Sequence, residues 1–349
     1  MAFSSQVSRV AKRFFISLCV IATAVFPAYS QSTAPETPLR EADKLVASGR
    51  LDEALQKLEA LAVQDPEPAG VEFVRGMAFY QKGGMMQAAA AFAKAVSQDP
   101  ANLDAMQMQG VSLFRAGRPS EAVPLLERAN KSVPNVNVDP NYVLGLCYID
   151  AQRYDDARKA FAGQYVFAPD SAQAYLLLAR MLLRHDHLPV AEKSARKALS
   201  LSPNLLQAHF LLGQLALAHG QYADAIAHFE REHDLDPLNG AVYDRLGDAY
   251  IRNGDFVHAQ QALNRAVLLE PTVSVPFILL GKVLLKQQNP LMASMYLEHA
   301  LQMDPNSYMA HYLLGQAYKS LGRADDAARE YRTTEKIQAD TQPRFESLK

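Results

Sequence analysis

Small and apolar residues recur along the chain with a period of 34 residues. Eight prolines mark this period, and their successive spacings are 34 residues except for one of 35. With proline at position 32 of each unit, position 8 is glycine or alanine and position 20 is alanine. Position 24 is large and apolar in every unit but one, which has Ala195. The prolines are Pro66, Pro100, Pro134, Pro169, Pro203, Pro237, Pro271 and Pro305.

Each unit is predicted to form two helices, over about positions 2–14 and 18–30. Several units have a glycine between them, which can adopt the left-handed conformation that ends a helix. Proline near the next start prevents one continuous helix, and the small residues at positions 8 and 20 let the paired helices approach closely. Because such a pair cannot bury its apolar face alone, the units are predicted to stack into a solenoid. The turn glycines are Gly83, Gly117, Gly220, Gly254 and Gly322.

This pattern resembles the tetratricopeptide repeat family over residues 35–341. Tyrosine stands at position 11 in several units (Tyr148, Tyr250, Tyr318), whereas the family's tryptophan at position 4 is absent because the chain has no tryptophan. The resemblance implies an all-α, right-handed superhelical solenoid of about nine helix–turn–helix repeats, with the first helices lining the concave face. One residue is inserted near Asn135–Asn137. The repeats are predicted at 35–68, 69–102, 103–136, 138–171, 172–205, 206–239, 240–273, 274–307 and 308–341.

The first thirty residues differ from the rest. Basic residues precede the apolar run Phe14–Phe26, and Ala28 and Ser30 form a small-residue cleavage site. These features predict a signal peptide over 1–30, with an uncleaved membrane anchor as the alternative. A linker over 31–38 follows, and a polar tail over 342–349 ends the chain. The protein is therefore expected to be exported to the periplasm or beyond, or else anchored at the membrane.

The composition is ordinary for a soluble globular protein, with 49% hydrophobic and 21% charged residues. The formal net charge is −2, and removal of residues 1–30 would bring it near −5. This balance excludes a generally basic, nucleic-acid-binding protein. Cys147 would then be the single cysteine, so no intramolecular disulfide is expected.

No pattern of residues predicts an enzyme, a cofactor or a metal site. His185 and His187 fall in the turn between two helices and lack a third ligand nearby in sequence. Gly247 and Gly254 occupy unit positions 8 and 15 rather than a phosphate-binding loop after a strand. Residue Cys147 is expected to be packed rather than reactive.

The first helices are the candidate binding surface, because the family's positions 2, 5, 6, 9, 12 and 13 point into the groove. In the second to fourth units these positions are mainly apolar, which suits an apolar helix or an extended peptide. Packing of neighbouring repeats against each other is the alternative explanation. The candidate residues are Phe73, Met77, Tyr80, Met108, Phe114 and Tyr142.

From the fifth unit onward the same positions become basic, with seven positive and two negative side chains. Such a face is predicted to attract an acidic protein partner, or alternatively an anionic ligand. The competing interpretation is a solvated surface on which pairs such as Asp248 and Arg252, one helical turn apart, neutralise each other. The candidates are Arg180, Arg184, Gln214, Asp244, Arg245, Asp248, Arg252, Lys282 and Lys286, with Lys319 as a further positive charge.

One subclass of the family holds a peptide's terminal carboxylate with lysine at position 5 and asparagine at position 9. No unit here carries that pair. The sequence therefore predicts an exported protein–protein interaction scaffold or assembly factor without that specificity. Analogy with similar proteins suggests secretion, pilus or exopolysaccharide machinery as the setting, with possible association with an envelope or membrane complex.

Overall fold

A computed structural model describes residues 37–129 and 140–341, and within these ranges it consists of helices and turns with no strand. The predicted signal segment 1–30, most of the linker 31–38, the insertion near 135–137 and the tail 342–349 lie outside the described residues. The described ranges contain eighteen helices: α1 Pro38–Ala47, α2 Leu51–Ala62, α3 Val71–Lys82, α4 Met85–Gln98, α5 Leu103–Arg115, α6 Pro119–Ala129, α7 Pro140–Asp150, α8 Tyr154–Gln164, α9 Ala172–Arg184, α10 Leu188–Leu201, α11 Ala208–Ala218, α12 Tyr222–Leu235, α13 Gly240–Asn253, α14 Phe256–Leu269, α15 Ser274–Lys286, α16 Pro290–Met303, α17 Tyr308–Ser320 and α18 Ala324–Thr341.

The helices pair in order, and each odd-numbered first helix packs against the even-numbered second helix that follows it. Side-chain caps fix several helix starts, because Asn102, Ser171 and Ser307 each accept a hydrogen bond from the backbone N–H three residues ahead. Each pair then stacks on the next, with every second helix packed against the following first helix. The result is the all-α solenoid that the 34-residue period predicts.

Position 15 ends the first helix of every unit with a positive φ angle. Glycine takes this conformation in six units, including the five predicted ones: Gly49, Gly83, Gly117, Gly220, Gly254 and Gly322. In the other three units Gln152, Asp186 and Gln288 adopt it with φ of 57–61°, at a cost of about 1 kcal/mol or more each. The geometry of the turn is therefore imposed by the stacking of the helices, whichever residue occupies the position.

The core of each pair forms where position 8 meets position 24. A Cβ atom added to Gly213 would lie 2.6 Å from Phe229 Cε1, and one added to Gly145 would lie 2.5 Å from Phe161 Cε1. Seven of the nine units share this contact between glycine and a large side chain. Position 20 is alanine at 0–3% exposure in all nine units, so its methyl group is enclosed by its neighbours.

The fifth unit has different residues at the contact between positions 8 and 24. It carries Ala179 at position 8 and Ala195 at position 24, and both are fully buried. Ala179 has a methyl group where most other units have glycine, and the small Ala195 stands where other units place a leucine or an aromatic ring. Together the two alanines supply less side-chain volume at this contact than glycine with a leucine or an aromatic ring supplies in most other units.

The first helices form one layer and the second helices form another. Most successive first helices pack directly against each other, as α9 does against α11 and α11 against α13. The second helices of successive units show no comparable contact within the parts of the chain that the structure describes. Because the first helices lie closer together, their layer is on the inside of the curve. We call the solvent-facing side of this layer the inner face.

Candidate functional site

All fifteen predicted partner-binding residues lie on first helices. Three lie on α3, two on α5 and one on α7, and the rest are distributed over α9, α11, α13 and α15. They divide into two groups whose surroundings differ, an apolar group in the second to fourth units and a polar group from the fifth unit onward. The two groups require different interpretations.

The apolar group mostly packs against the protein itself. The ring of Phe73 meets that of Phe92 edge-on, with centroids 5.6 Å apart, and Tyr142 lies over Phe161 at 6.0 Å. Met77 and Tyr80 are half-buried against the same cluster of core residues as Phe73. An aromatic ring at position 5 therefore covers the large side chain at position 24, which itself fills the space beside glycine.

Met108 belongs to the core. Its side chain is 1% exposed and packs with Phe92, so no surface remains for a partner to contact. Phe114 is half-buried against the neighbouring core cluster. For these residues the structure favours packing between repeats, the alternative that the sequence left open, because position numbers alone do not distinguish a groove-lining side chain from one that contacts the next helix.

The polar group is more accessible. Arg184, Arg245 and Lys286 are exposed, Lys282 is half-buried, and none of the four has an ion-pair partner among the residues that the structure describes. Arg252 does have one, since its Nε lies 3.0 Å from Asp248 Oδ2. That pair confirms the predicted contact across one helical turn. Neither Arg252 nor Asp248 is therefore an unpaired charge.

Arg180 is a half-buried cation with a neutral partner. Its Nη2 donates a hydrogen bond to Gln207 Oε1, and no carboxylate lies within ion-pair distance in the described residues. Burial lowers the pKa of Arg180, and the positive charge of Arg184 one turn away lowers it further. The site therefore holds positive charge that the protein does not neutralise.

Gln207 connects this arginine to the next unit. It begins α11 in a left-handed conformation, with φ of 70°, and its backbone N–H donates to Glu232 Oε1 at 2.5 Å. The other oxygen of Glu232, which is 1% exposed, accepts from the backbone N–H of Phe210 at 3.1 Å. Both oxygens of Glu232 are therefore hydrogen-bonded to the start of α11, and within the described residues neither forms an ion pair with Arg180.

Asp244 is the opposite case on α13, a half-buried carboxylate whose Oδ1 is buried and has no hydrogen-bond partner. Burial raises the pKa of Asp244 to about 6, and the nearby carboxylates of Asp248 and Glu270 contribute to the rise, although Arg245 opposes it. A buried acceptor without a donor is costly, and native structures contain few of them. The sequence predicted that Asp244 faces the groove but gave no sign that it lacks a partner.

Sequence profiles of one protein family match most of the chain. A profile described as tetratricopeptide repeat matches residues 113–181, 216–274 and 284–349, which is more than half of the chain. A second profile with the same description matches 39–103, 73–137 and 176–240. The chain belongs to the tetratricopeptide repeat family. No curated protein sequence matches this tetratricopeptide repeat (TPR) protein.

Solved structures that are similar to this chain include MamA and YrrB. A MamA crystal structure is 21% identical to this TPR protein, with a TM-score of 0.45, and the match covers 52% of this chain and 100% of that one. YrrB, described as a TPR protein with an unusual peptide-binding site, is 21% identical with a TM-score of 0.46, covering 54% of this chain and 95% of its own. MamA from Desulfovibrio magneticus RS-1 is 18% identical with a TM-score of 0.47, covering 50% and 98%. At these identities the likeness concerns the fold alone.

The last two units of this TPR protein expose apolar side chains that the sequence did not single out. Val275 and Met309, both at position 2, are 47% and 39% exposed, and Tyr312 at position 5 is 45% exposed. These are positions that face the groove in the family. The sequence does carry a signal for these residues, because positions 2 and 5 belong to the set that points into the groove in the family.

Two histidines of the sixth unit also form a contact that was not predicted. His209 and His228 are half-buried, with their Nδ1 atoms 3.1 Å apart. Burial lowers the pKa of both rings, so the neutral pair can share one hydrogen bond between α11 and α12.

In the described part of the chain, no group of three or more potential ligands could hold a metal ion. None of the described helices combines the length and apolar character needed to cross a membrane.

Proposed function

We propose that this TPR protein is a protein–protein interaction scaffold whose inner face binds a partner protein or peptide. The observation that carries the proposal is the state of the inner face from α9 to α17, which keeps exposed apolar side chains and unpaired charges after the packing positions are filled. Val275, Met309 and Tyr312 supply the apolar part. Side chains of this kind, close to charged ones, are typical of surfaces that bind other proteins.

The proposal predicts that acidic substitutions on the inner face abolish capture of the partner. The double variant Val275→Asp/Met309→Asp places two carboxylates where apolar side chains are exposed on α15 and α17. We expect partner recovery to fall at least about tenfold, because each carboxylate must be desolvated on binding. The measurement is co-purification with the tagged full-length protein from the cells that produce it, with quantitative mass spectrometry of the bound proteins.

A matched control uses the outer layer of the same region. Leu291 and Met295 on α16 are 60% and 57% exposed, so the double variant Leu291→Asp/Met295→Asp makes the same chemical change on a second helix. It should capture the partner as the unchanged protein does. Equal loss in both variants, or loss in neither, would contradict binding at the inner face.

We also propose that residues 1–30 direct export, so that the scaffold acts outside the cytoplasm as an assembly factor of an envelope machine. The support is the basic start, the apolar run Phe14–Phe26 and the small residues Ala28 and Ser30. We expect N-terminal sequencing of the protein from its own cells to give a start at Gln31. An intact N-terminus recovered in the membrane fraction would instead establish the anchored form.

A further inference from the structure

Two half-buried charges of opposite sign lie on the inner face without an ionic partner. Arg180 is on α9 and Asp244 is on α13, so they belong to the fifth and seventh units, and α11 lies between them in the same layer. Folding has removed both side chains partly from water, which is unfavourable for a charge unless a partner replaces the lost solvation. Each charge is therefore poised to gain an interaction from a bound molecule.

The surroundings of Arg180 select an anion. Its observed partner, the amide oxygen of Gln207, engages Nη2, and a guanidinium has five N–H donors in a planar fork. Arg184, exposed one turn further along α9, adds a second positive charge and has no ion pair in the ranges described. A carboxylate can bind two donors of an arginine at once, and this geometry makes the pair both strong and specific.

The surroundings of Asp244 select a cation or another donor. Its buried Oδ1 has no hydrogen bond. Asp248 is already paired with Arg252, and Glu270 adds negative charge nearby, which makes the site more favourable for a positive group. Arg245 is adjacent in sequence, but its side chain is exposed and forms no ion pair with Asp244 within the described residues.

We propose that the inner face binds an extended polypeptide segment that presents an acidic side chain to Arg180 and Arg184 and a basic side chain to Asp244. This inference rests on the proposed function and adds the chemistry of the partner. A small anion would satisfy Arg180 alone, since a whole unit separates the two charges. A chain can reach both, and half-buried Gln214 on α11 offers an amide for the peptide backbone between them.

The test is selection of random short peptides displayed on phage against the full-length protein. One library fuses the carboxyl end of each peptide to the coat protein, and a second leaves that end free. We expect the fused library to yield peptides with one acidic and one basic residue in a fixed order. A synthetic, C-terminally amidated version of a selected peptide should bind at least about tenfold more weakly after Asp244→Asn, Arg184→Gln or replacement of its own acidic residue by Gln.

A charge-reversal variant and two control variants test whether the selected peptides contact Asp244 and Arg184. Against Asp244→Lys, the selected peptides should carry an acidic residue in place of the basic one. The variants Arg265→Gln and Asp224→Asn remove the same charges from exposed sites on second helices and should leave binding unchanged. Because Arg180→Gln also removes the bond to Gln207, the exposed Arg184 serves as the variant that tests the anion site without disturbing a contact between units.

The outcomes separate this inference from the function on which it rests. Selected peptides that lack the charge pair, but lose binding in the Val275→Asp/Met309→Asp variant, would overturn the inference and leave inner-face binding intact. If only the library with a free carboxyl end yields binders, and their acidic group is that terminus, then the proposed acidic side chain is wrong. Peptides that bind all inner-face variants equally, or the absence of any selected peptide, would contradict the proposed function and the inference together.

Discussion

Replacing Gly213 by alanine is expected to lower the free energy of unfolding by about 2 kcal/mol, the opposite of the usual effect of this change in a helix. Alanine normally stabilises a helix relative to glycine by about 0.5–1 kcal/mol. Here the added Cβ would lie 2.6–2.8 Å from three atoms of the buried Phe229 ring. Overpacking of this kind typically costs about 1–3 kcal/mol, so the packing term exceeds the gain in helix propensity.

Gly163 provides the matched control for this prediction. It lies in α8, and a Cβ added there would be 3.5 Å or more from its nearest neighbours, in the side chain of Asn141. Gly163→Ala should therefore stabilise the protein by a few tenths to about 1 kcal/mol. Urea denaturation followed by circular dichroism measures both variants. Stabilisation by Gly213→Ala would show that the α11–α12 pair can separate without cost and would refute the packing argument.

The fifth unit supplies a reciprocal test of the same contact. The first unit accommodates Ala42 beside Leu58, but the fifth unit is packed around Ala179 and Ala195, two small and fully buried side chains, so Ala195→Leu alone should overpack the site. Adding Ala179→Gly recreates the combination found in most other units, and we expect it to recover much of the lost stability. Additive effects in this double-mutant cycle would mean that positions 8 and 24 do not compete for one volume.

The sequence predicts the architecture well because the repeat multiplies a weak signal. Any single glycine at position 8 has several possible explanations, but the same small residue at 34-residue intervals predicts a close approach of helices. The pattern does not show which residue each glycine approaches. The structure shows that it is the side chain at position 24, because a Cβ added to Gly145 would first meet Phe161. The left-handed turns at Gln152, Asp186 and Gln288 were likewise not predicted, because glutamine does not favour a positive φ and aspartate adopts it only occasionally.

The candidate site could be predicted only in part. Unit positions place Phe73, Met108 and Asp244 on the same layer, yet they do not give the depth of each side chain. Met108 is in the core, whereas Asp244 is half-buried with an unpartnered oxygen. The environment of Arg180 depends on Gln207, which adopts a left-handed conformation at the start of the next unit. Such long-range contacts arise from stacking and leave no local trace in the sequence.

Replacing Asp244 by asparagine is expected to stabilise the free protein by about 2–3 kcal/mol at pH 8. The pKa of this carboxyl is raised from 3.8 to about 6 on folding, so the folded state binds the proton more tightly than the unfolded state. A raised pKa means that stability is complete below pH 3.8 and is lost as the pH rises through about 6. Each pKa unit corresponds to about 1.4 kcal/mol, and asparagine removes the charge at every pH.

The measurement is the free energy of unfolding of both proteins, by urea denaturation, at several pH values. The two should agree below about pH 3.8 and diverge between pH 3.8 and about 6, and above that range the variant should stay more stable by a constant amount. Asp248→Asn is the control one turn along α13, where loss of the pair with Arg252 should cost only about 0.3–0.5 kcal/mol at neutral pH. A difference for Asp244→Asn that does not change with pH would show that its carboxyl titrates normally. Greater stability together with weaker peptide binding would mean that the protein keeps an unfavourable buried charge because its partner requires it.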